Sequence, residues 1–231
     1  CGCIFAGLAF TIRKNVVGTP MGDAFGTFFQ QPGIKAILAF LLFYRFGEAM
    51  VAKMTPLFLK DSRNVGGLGI DNDTLGTIKG IIGVIGIITG GILGGLFVSR
   101  RGLKKSMWSL VIVMHSPILL YLLTAILQPG SHNTPVIAIV EFVDQFGYGF
   151  GFAGYYIILQ QLARRGNFPT THYAIGTGLG ALFITVAGVV SGVVQSNFGY
   201  VAFFFAASLL TIPGVVTLFY LPISDEQTAQ A

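Results

Sequence analysis

The chain has 231 residues, of which 53% are hydrophobic and 10% charged, with a formal net charge of +5. A soluble domain carries roughly a quarter charged residues, so this balance excludes a water-soluble globular enzyme and points to a chain that crosses a membrane. A transmembrane β-barrel is excluded too, because it needs strands of about ten residues with alternating polarity, and no such alternation runs through the sequence.

In chain order, residues 1–12, CGCIFAGLAFTI, are apolar but too short to span, and Arg13 and Lys14 follow at once. A secretory signal has its basic residues before the apolar run. The order found here fits the last turns of a preceding helix leaving on the cytoplasmic side, and the chain reads as the C-terminal part of a longer one. Cys1 and Cys3 lack the neighbours that a metal site requires. Residues 1–33 are thus the end of a helix and a cytoplasmic connector, in which Phe25, Phe28 and Phe29 rest at the membrane interface.

Six apolar segments then exceed the span threshold of about 18 residues: A, Ile34 to Leu59; B, Leu75 to Val98; C, Met107 to Leu127; D, Val136 to Leu162; E, Ala174 to Val194; and F, Val201 to Leu221. Polar or turn-forming stretches such as SRRGLKKS and QPGSHNTP divide them. Short loops rich in lysine and arginine stay cytoplasmic. One side holds Arg13, Lys14, Lys35, Arg100, Arg101, Lys104, Lys105, Arg164 and Arg165; the other holds Lys60 and Arg63. Both ends, including the polar tail 223–231, therefore face the cytoplasm, and residues 34–222 form a six-helix transmembrane domain. Six spans also divide into two inverted three-helix repeats, A to C and D to F. The basic loops serve topology, and nothing else supports nucleic-acid binding.

Glycine occurs 32 times, about twice average usage. Gly86, Gly90 and Gly94 in B, Gly147, Gly151 and Gly154 in D, and Gly188 and Gly192 in E form stripes along which another helix can pack closely.

Charge lies deep in two segments. Arg45 and Glu48 are eleven and fourteen residues into A, near mid-bilayer at about 1.5 Å per residue, and an i, i+3 spacing puts them on one face. At that depth they must face protein or water. Glu141, Asp144, Gln145 and Tyr148 form a polar stripe on D. Two carboxylates one turn apart repel when both are ionised, which suits a proton-exchanging pair. Matched depths allow Arg45 or Glu48 to meet Asp144, and Lys79 of B to meet Glu141. His115 in C reads as a hydrogen-bonded packing histidine, and His132 and His172 carry no site by themselves. No spacing calls for a metal, a cofactor or a phosphate loop, and no catalytic constellation appears, so an enzyme is not expected.

The run GGLFVSRRGLKKS resembles the loop motif of the major facilitator superfamily, Gly-x-x-x-Asp-Arg-x-Gly-Arg-Lys/Arg, through Gly95, Arg100, Gly102 and Lys104, with Ser99 in place of Asp and Leu103 in place of Arg. FYRFGEA is similar to the Tyr-Lys-Leu-Gly-Asp-Ala segment of the AmpG-like muropeptide permeases, Arg45 standing at its Lys and Glu48 at its Asp. The single lysine of B, Glu141, GYGFGFAGYYIILQQL and FPTTHYAIGTGLGAL fall where that family has related segments. The resemblance implies the second six-helix half of a permease that imports anhydro-muropeptides with protons across the bacterial cytoplasmic membrane. It also implies a missing N-terminal half as partner, besides membrane lipid. Glu48, Asp144 and Glu141 would then couple protons. Arg45, Lys79, Gln145, Tyr148, Tyr155 and Tyr156 would bind an anionic sugar-peptide, and Gly95, Arg100, Gly102 and Lys104 would form a cytoplasmic gate. The rival readings are an acyl-coenzyme A or other organic-anion carrier of the same superfamily, a membrane enzyme on lipid-linked sugars, and a non-transporting sensor.

Overall fold

The computed structural model of the chain describes residues 18–130 and 133–222. The first apolar stretch with Cys1 and Cys3, Arg13 and Lys14, His132, and the tail 223–231 lie outside the described residues. Among those described, every regular element is helical.

The connector contains a helix, α1 (Pro20–Phe29), started by Pro20 and capped by Thr19, whose hydroxyl accepts the Gly22 N–H. Phe25 and Phe29 are exposed, as a membrane-interface face requires, but Phe28 is fully buried. It packs beside His172, which corrects the expectation that all three rings rest in the interface.

Span A is two helices, α2 (Ile34–Phe43) and α3 (Phe46–Lys60), broken at Tyr44 and Arg45. Span B is α4 (Asn72–Arg101), C is α5 (Leu103–Leu127) and D is α6 (Thr134–Arg164). α7 (Pro169–Leu209) carries E and the first part of F, and α8 (Ile212–Thr217) continues F. Among the described residues four helices are long and apolar enough to cross a membrane as they stand; the last, Pro169–Tyr220, has 52 residues. It is turned at Gly199, whose φ of 76° and ψ of 178° leave the helical region, so it supplies two spans. A falls outside that set because neither of its pieces alone is long enough. The six expected segments are all present.

Their packing follows the glycines. B lies along D: a Cβ on Gly86, Gly90 or Gly94 would stand 2.9, 2.1 or 2.5 Å from the carbonyl oxygens of Phe142, Phe146 and Phe150. E lies along A, where Ser191 donates to the Met50 carbonyl. D crosses C through Gly147, Gly151 and Gly154, and A crosses F through Gly47 and Gly214. Exchanging A, B and C for D, E and F maps the first pair onto the second and the third onto the fourth, as inverted repeats require. The E stripe differs from expectation: Gly192 has nothing within 4 Å of its Cβ position and Gly188 only the Lys53 stem.

Two apolar clusters fill the bundle. One includes Phe40, Tyr44, Leu110, Met114, Tyr155 and Leu159; the other includes Met50, Phe58, Ile118, Tyr121, Val140 and Phe204. On A the change of cluster falls between Tyr44 and Ala49, on C between Met114 and Ile118, and on D between Val140 and Tyr155. Arg45, Glu48, His115 and Asp144 occupy that intervening layer. At the end of the bundle remote from Gly102 the loops are tied across: Tyr200 donates to Asp61 at 2.6 Å, and Arg63 donates to the carbonyls of Gln128 and Pro129. Asp71 caps the start of B, and the Thr74 N–H holds its carboxyl below the usual carboxylate range.

Candidate functional site

The break in A positions Arg45. A continuous helix would carry its i→i−4 ladder through Tyr44; here the Tyr44 carbonyl faces His115 Nε2 at 2.9 Å, while His115 Nδ1 lies 2.9 Å from the Val111 carbonyl. A neutral imidazole donates to one of the two at a time. The phenol of Tyr44 donates to the Gly151 carbonyl at 3.0 Å, fastening A to D at the same level. Gly47 lets F approach so closely that a Cβ there would stand 2.8 Å from the Ala207 carbonyl oxygen.

The side chain of Arg45 turns toward D. Its Nη2 donates to the Tyr148 hydroxyl at 2.8 Å. The guanidinium carbon lies 4.2 Å from the Phe152 ring centre and 5.5 and 5.4 Å from those of Tyr148 and Tyr155. These rings stack on one another, Tyr148 to Phe152 at 5.1 Å and Phe152 to Tyr155 at 5.3 Å. Glu48 Oε2 is 4.0 Å from Arg45 Nη2. Arg45 Nε and Glu48 Oε2 are both buried without a hydrogen-bond partner, a state that costs about 1–3 kcal/mol per group.

Toward the ends of B, C and D remote from Gly102 a second cluster forms. Lys79 Nζ is 2.9 and 3.0 Å from the two oxygens of Glu141, and the buried Tyr121 hydroxyl donates to Glu141 Oε2 at 2.7 Å. Lys79 sits in a π-helical turn, Ile78–Gly83, a distortion often found at functional positions. Gly83, whose Cβ position is 3.1 Å from Glu141 Oε1, keeps that approach open. Asp144 is buried, and its hydrogen bond is to the neutral amide of Gln145 at 3.1 Å. Glu48 lies within electrostatic range of both Asp144 and Lys79. The layer therefore holds the carboxyls of Glu48, Glu141 and Asp144 against the cations of Arg45 and Lys79. Lys79 and Tyr121 satisfy Glu141, whereas Glu48 and Asp144 lack a cation in hydrogen-bonding contact.

Of the other residues singled out in the sequence, Tyr155 is buried within the ring stack, and Tyr156 is 41% exposed with its edge against Phe152 at 4.3 Å. Gly95 has nothing within 4 Å of its Cβ position, Gly102 turns B into C at a φ of 79°, and Arg100 and Lys104 are exposed beside it. His172 is buried: its ring nitrogens lie 3.1 Å from Thr27 Oγ1, the Ala24 carbonyl and Gln31 Nε2, so it seats α1 on the start of E. Among the described residues no group of three histidine, cysteine or acidic side chains is placed to hold a metal.

Sequence reasoning missed Tyr121, Phe152 and Tyr44. Tyr121 sits about as far from the last residue of C as Glu141 sits from the first residue of D, so depth matching would have found it. Phe152 lies one turn beyond Tyr148 on the polar stripe. Tyr44 gives no comparable signal, because its role depends on a break that no proline or glycine marks.

No family model matches the chain. It is 26% identical over 97% of its length to an uncharacterised protein of Haemophilus influenzae, covering 56% of that protein. It is 25% identical over 90% of its length to an anhydromuropeptide permease of Escherichia coli, covering 40% of it, and 26% identical over 79% of its length to a protein of Rickettsia bellii that carries the AmpG name, covering 42%. The chain thus spans about half the length of the curated relatives it matches.

Proposed function

Starting from its kinship with the AmpG-type permeases, we propose that this integral membrane chain forms one six-helix unit of a proton-coupled importer of anhydro-muropeptides in the bacterial cytoplasmic membrane. Both its ends face the cytoplasm, and it works against a second six-helix unit, since alternating access needs two bundles rocking about a shared site. The substrate meets the face of A and D that carries Arg45.

The observation that carries this reading is the state of Arg45: a guanidinium held near the middle of a span, its carbon over the Phe152 ring, with its Nε buried and unpartnered. A stacked guanidinium presents its N–H edge in a fixed plane and matches a carboxylate bidentately, which suits the acidic peptide of a muropeptide. Tyr156, the exposed ring of the group, offers a face to a sugar. Lys79 and Gln145 extend the polar surface outward.

Proton coupling falls to Glu48 and Asp144. Lys79 and Tyr121 occupy Glu141, which leaves the other two carboxyls free to exchange protons as the cavity opens to water and closes. Gly95, Arg100, Gly102 and Lys104 mark the loop that closes on the cytoplasmic side. The test is uptake of labelled anhydro-muropeptide into vesicles carrying the whole transporter, with and without a proton gradient. Gradient-dependent accumulation is expected; uptake that ignores the gradient refutes the coupling.

A further inference from the structure

Where B reaches its basic end, Leu93, Leu96, Phe97, Arg100 and Arg101 form with Phe150 of D a groove of about 560 Å³. Its base is fixed, because Gly94 seats B directly on the Phe150 backbone. Its apolar wall is uncovered: Leu93 and Leu96 are 48% and 46% exposed. The two arginines stand at one end only. From Leu93 to Arg101 the helix rises roughly 12 Å at 1.5 Å per residue, so one end of the groove is hydrocarbon and the other cationic. The Arg101 guanidinium lies 4.7 Å from the Phe97 ring centre, and both arginines are exposed. Among the described residues neither arginine has an ion-pair partner.

We propose that this groove is a binding site for one anionic phospholipid, its phosphate on Arg100 and Arg101 and its upper acyl chain along Leu96, Leu93 and Phe150. The end of a spanning helix lies at headgroup level whichever leaflet it faces, so the assignment does not depend on the orientation of the chain. Guanidinium forks match phosphate oxygens, and basic pockets at the membrane surface attract anionic lipid by about 1 kcal/mol per charge. The groove adds what a loop of lysines lacks: a rigid apolar channel continuous with the cations. A zwitterionic phospholipid offers the same phosphate but brings its own cation beside the two arginines, so a lipid with net negative charge is preferred, and a small anion would leave the leucines bare.

The test uses the whole transporter purified in detergent, incubated with equal parts phosphatidylglycerol and phosphatidylcholine, and read by native mass spectrometry. The unmodified transporter should retain phosphatidylglycerol preferentially. The double variant Arg100→Gln with Arg101→Gln should lower that preference about tenfold, while Arg164→Gln, an exposed cation outside the groove, should leave it unchanged. Excess inorganic phosphate should not displace the lipid. Equal retention of both lipids by the unmodified transporter, an unaltered preference in the double variant, or displacement by phosphate alone would each overturn the proposal. An unaltered preference would return the arginines to acidic groups of the second six-helix unit.

Discussion

The guanidinium of Arg45 lies 4.2 Å from the ring centre of Phe152, although the two residues belong to different spans and neither is paired by any motif in the sequence. The contact holds the one guanidinium among the described residues whose Nε is buried and unpartnered. A cation over an aromatic face contributes about 0.5–2 kcal/mol, more when desolvated. Phe152→Ala should therefore raise the apparent KM for an anionic muropeptide several-fold with little change in the amount of folded transporter. Phe152→Tyr should restore it. Concentration-dependent uptake measures both, and an unchanged KM in the alanine variant would separate the ring from recognition.

Arg45→Lys keeps the charge but loses the planar fork and the stack. Substrate binding should fall by about tenfold or more, as expected when a bidentate contact becomes a point charge, and Arg45→Ala should fall further. Binding measured by competition against labelled substrate is the check. Equal binding by arginine and lysine would place the substrate anion elsewhere.

The Lys79, Glu141 and Tyr121 cluster should behave as a buried pair with a helper. Lys79→Gln leaves Glu141 without its cation and should destabilise the bundle by about 3–5 kcal/mol. Tyr121→Phe removes one charge-assisted hydrogen bond and should cost about 1.5–3 kcal/mol. Lys79→Gln combined with Glu141→Gln should recover much of the first loss. Denaturant titration of the detergent-solubilised chain orders the three, and a double variant weaker than Lys79→Gln would contradict the pairing.

The contact of B with D rests on missing side chains. A Cβ on Gly90 would stand 2.1 Å from the Phe146 carbonyl oxygen, whereas Gly95 has nothing within 4 Å. Gly90→Ala should cost about 1–3 kcal/mol through overpacking. Gly95→Ala should be neutral or stabilising by up to about 1 kcal/mol, because alanine is the better helix former. Thermal unfolding of the two variants side by side tests the point.

Much of this was legible because a bilayer restricts the options. Span number, the glycine stripes of B and D, and the depth of Arg45, Glu48, Lys79, Glu141 and Asp144 all follow from length, period and rise per residue. What depth could not supply was azimuth. Lys79 and Glu141 share a level and do meet. Arg45 also shares a level with Asp144, yet its hydrogen bond goes to Tyr148, because the break at Tyr44 redirects it. The break itself was illegible: it is held by His115 and by the close crossing of A and F at Gly47, contacts far apart in sequence. Gly188 and Gly192 show the converse, a regular stripe met by nothing but the stem of Lys53. His172 looked like an isolated helix-entry residue, and only its partners Thr27 and Gln31, more than a hundred positions away, give it a role in seating α1.

Orientation has a direct check. With Cys1 and Cys3 replaced, a single cysteine at Gly130, in the loop between C and D, should react with an impermeant reagent applied from outside the cell. One at Gly102, between B and C, should be spared. The reverse labelling would invert the topology and move the basic loops to the outside.

The central claim is that Glu48 and Asp144 carry the coupled proton, and the most direct measurement compares exchange with accumulation in the whole transporter bearing Glu48→Gln or Asp144→Asn. Vesicles preloaded with unlabelled anhydro-muropeptide report exchange, and vesicles energised by a proton gradient report uphill uptake of the labelled compound. The account predicts that both variants retain exchange and lose accumulation. Uphill accumulation by both variants at the level of the unmodified protein would contradict it.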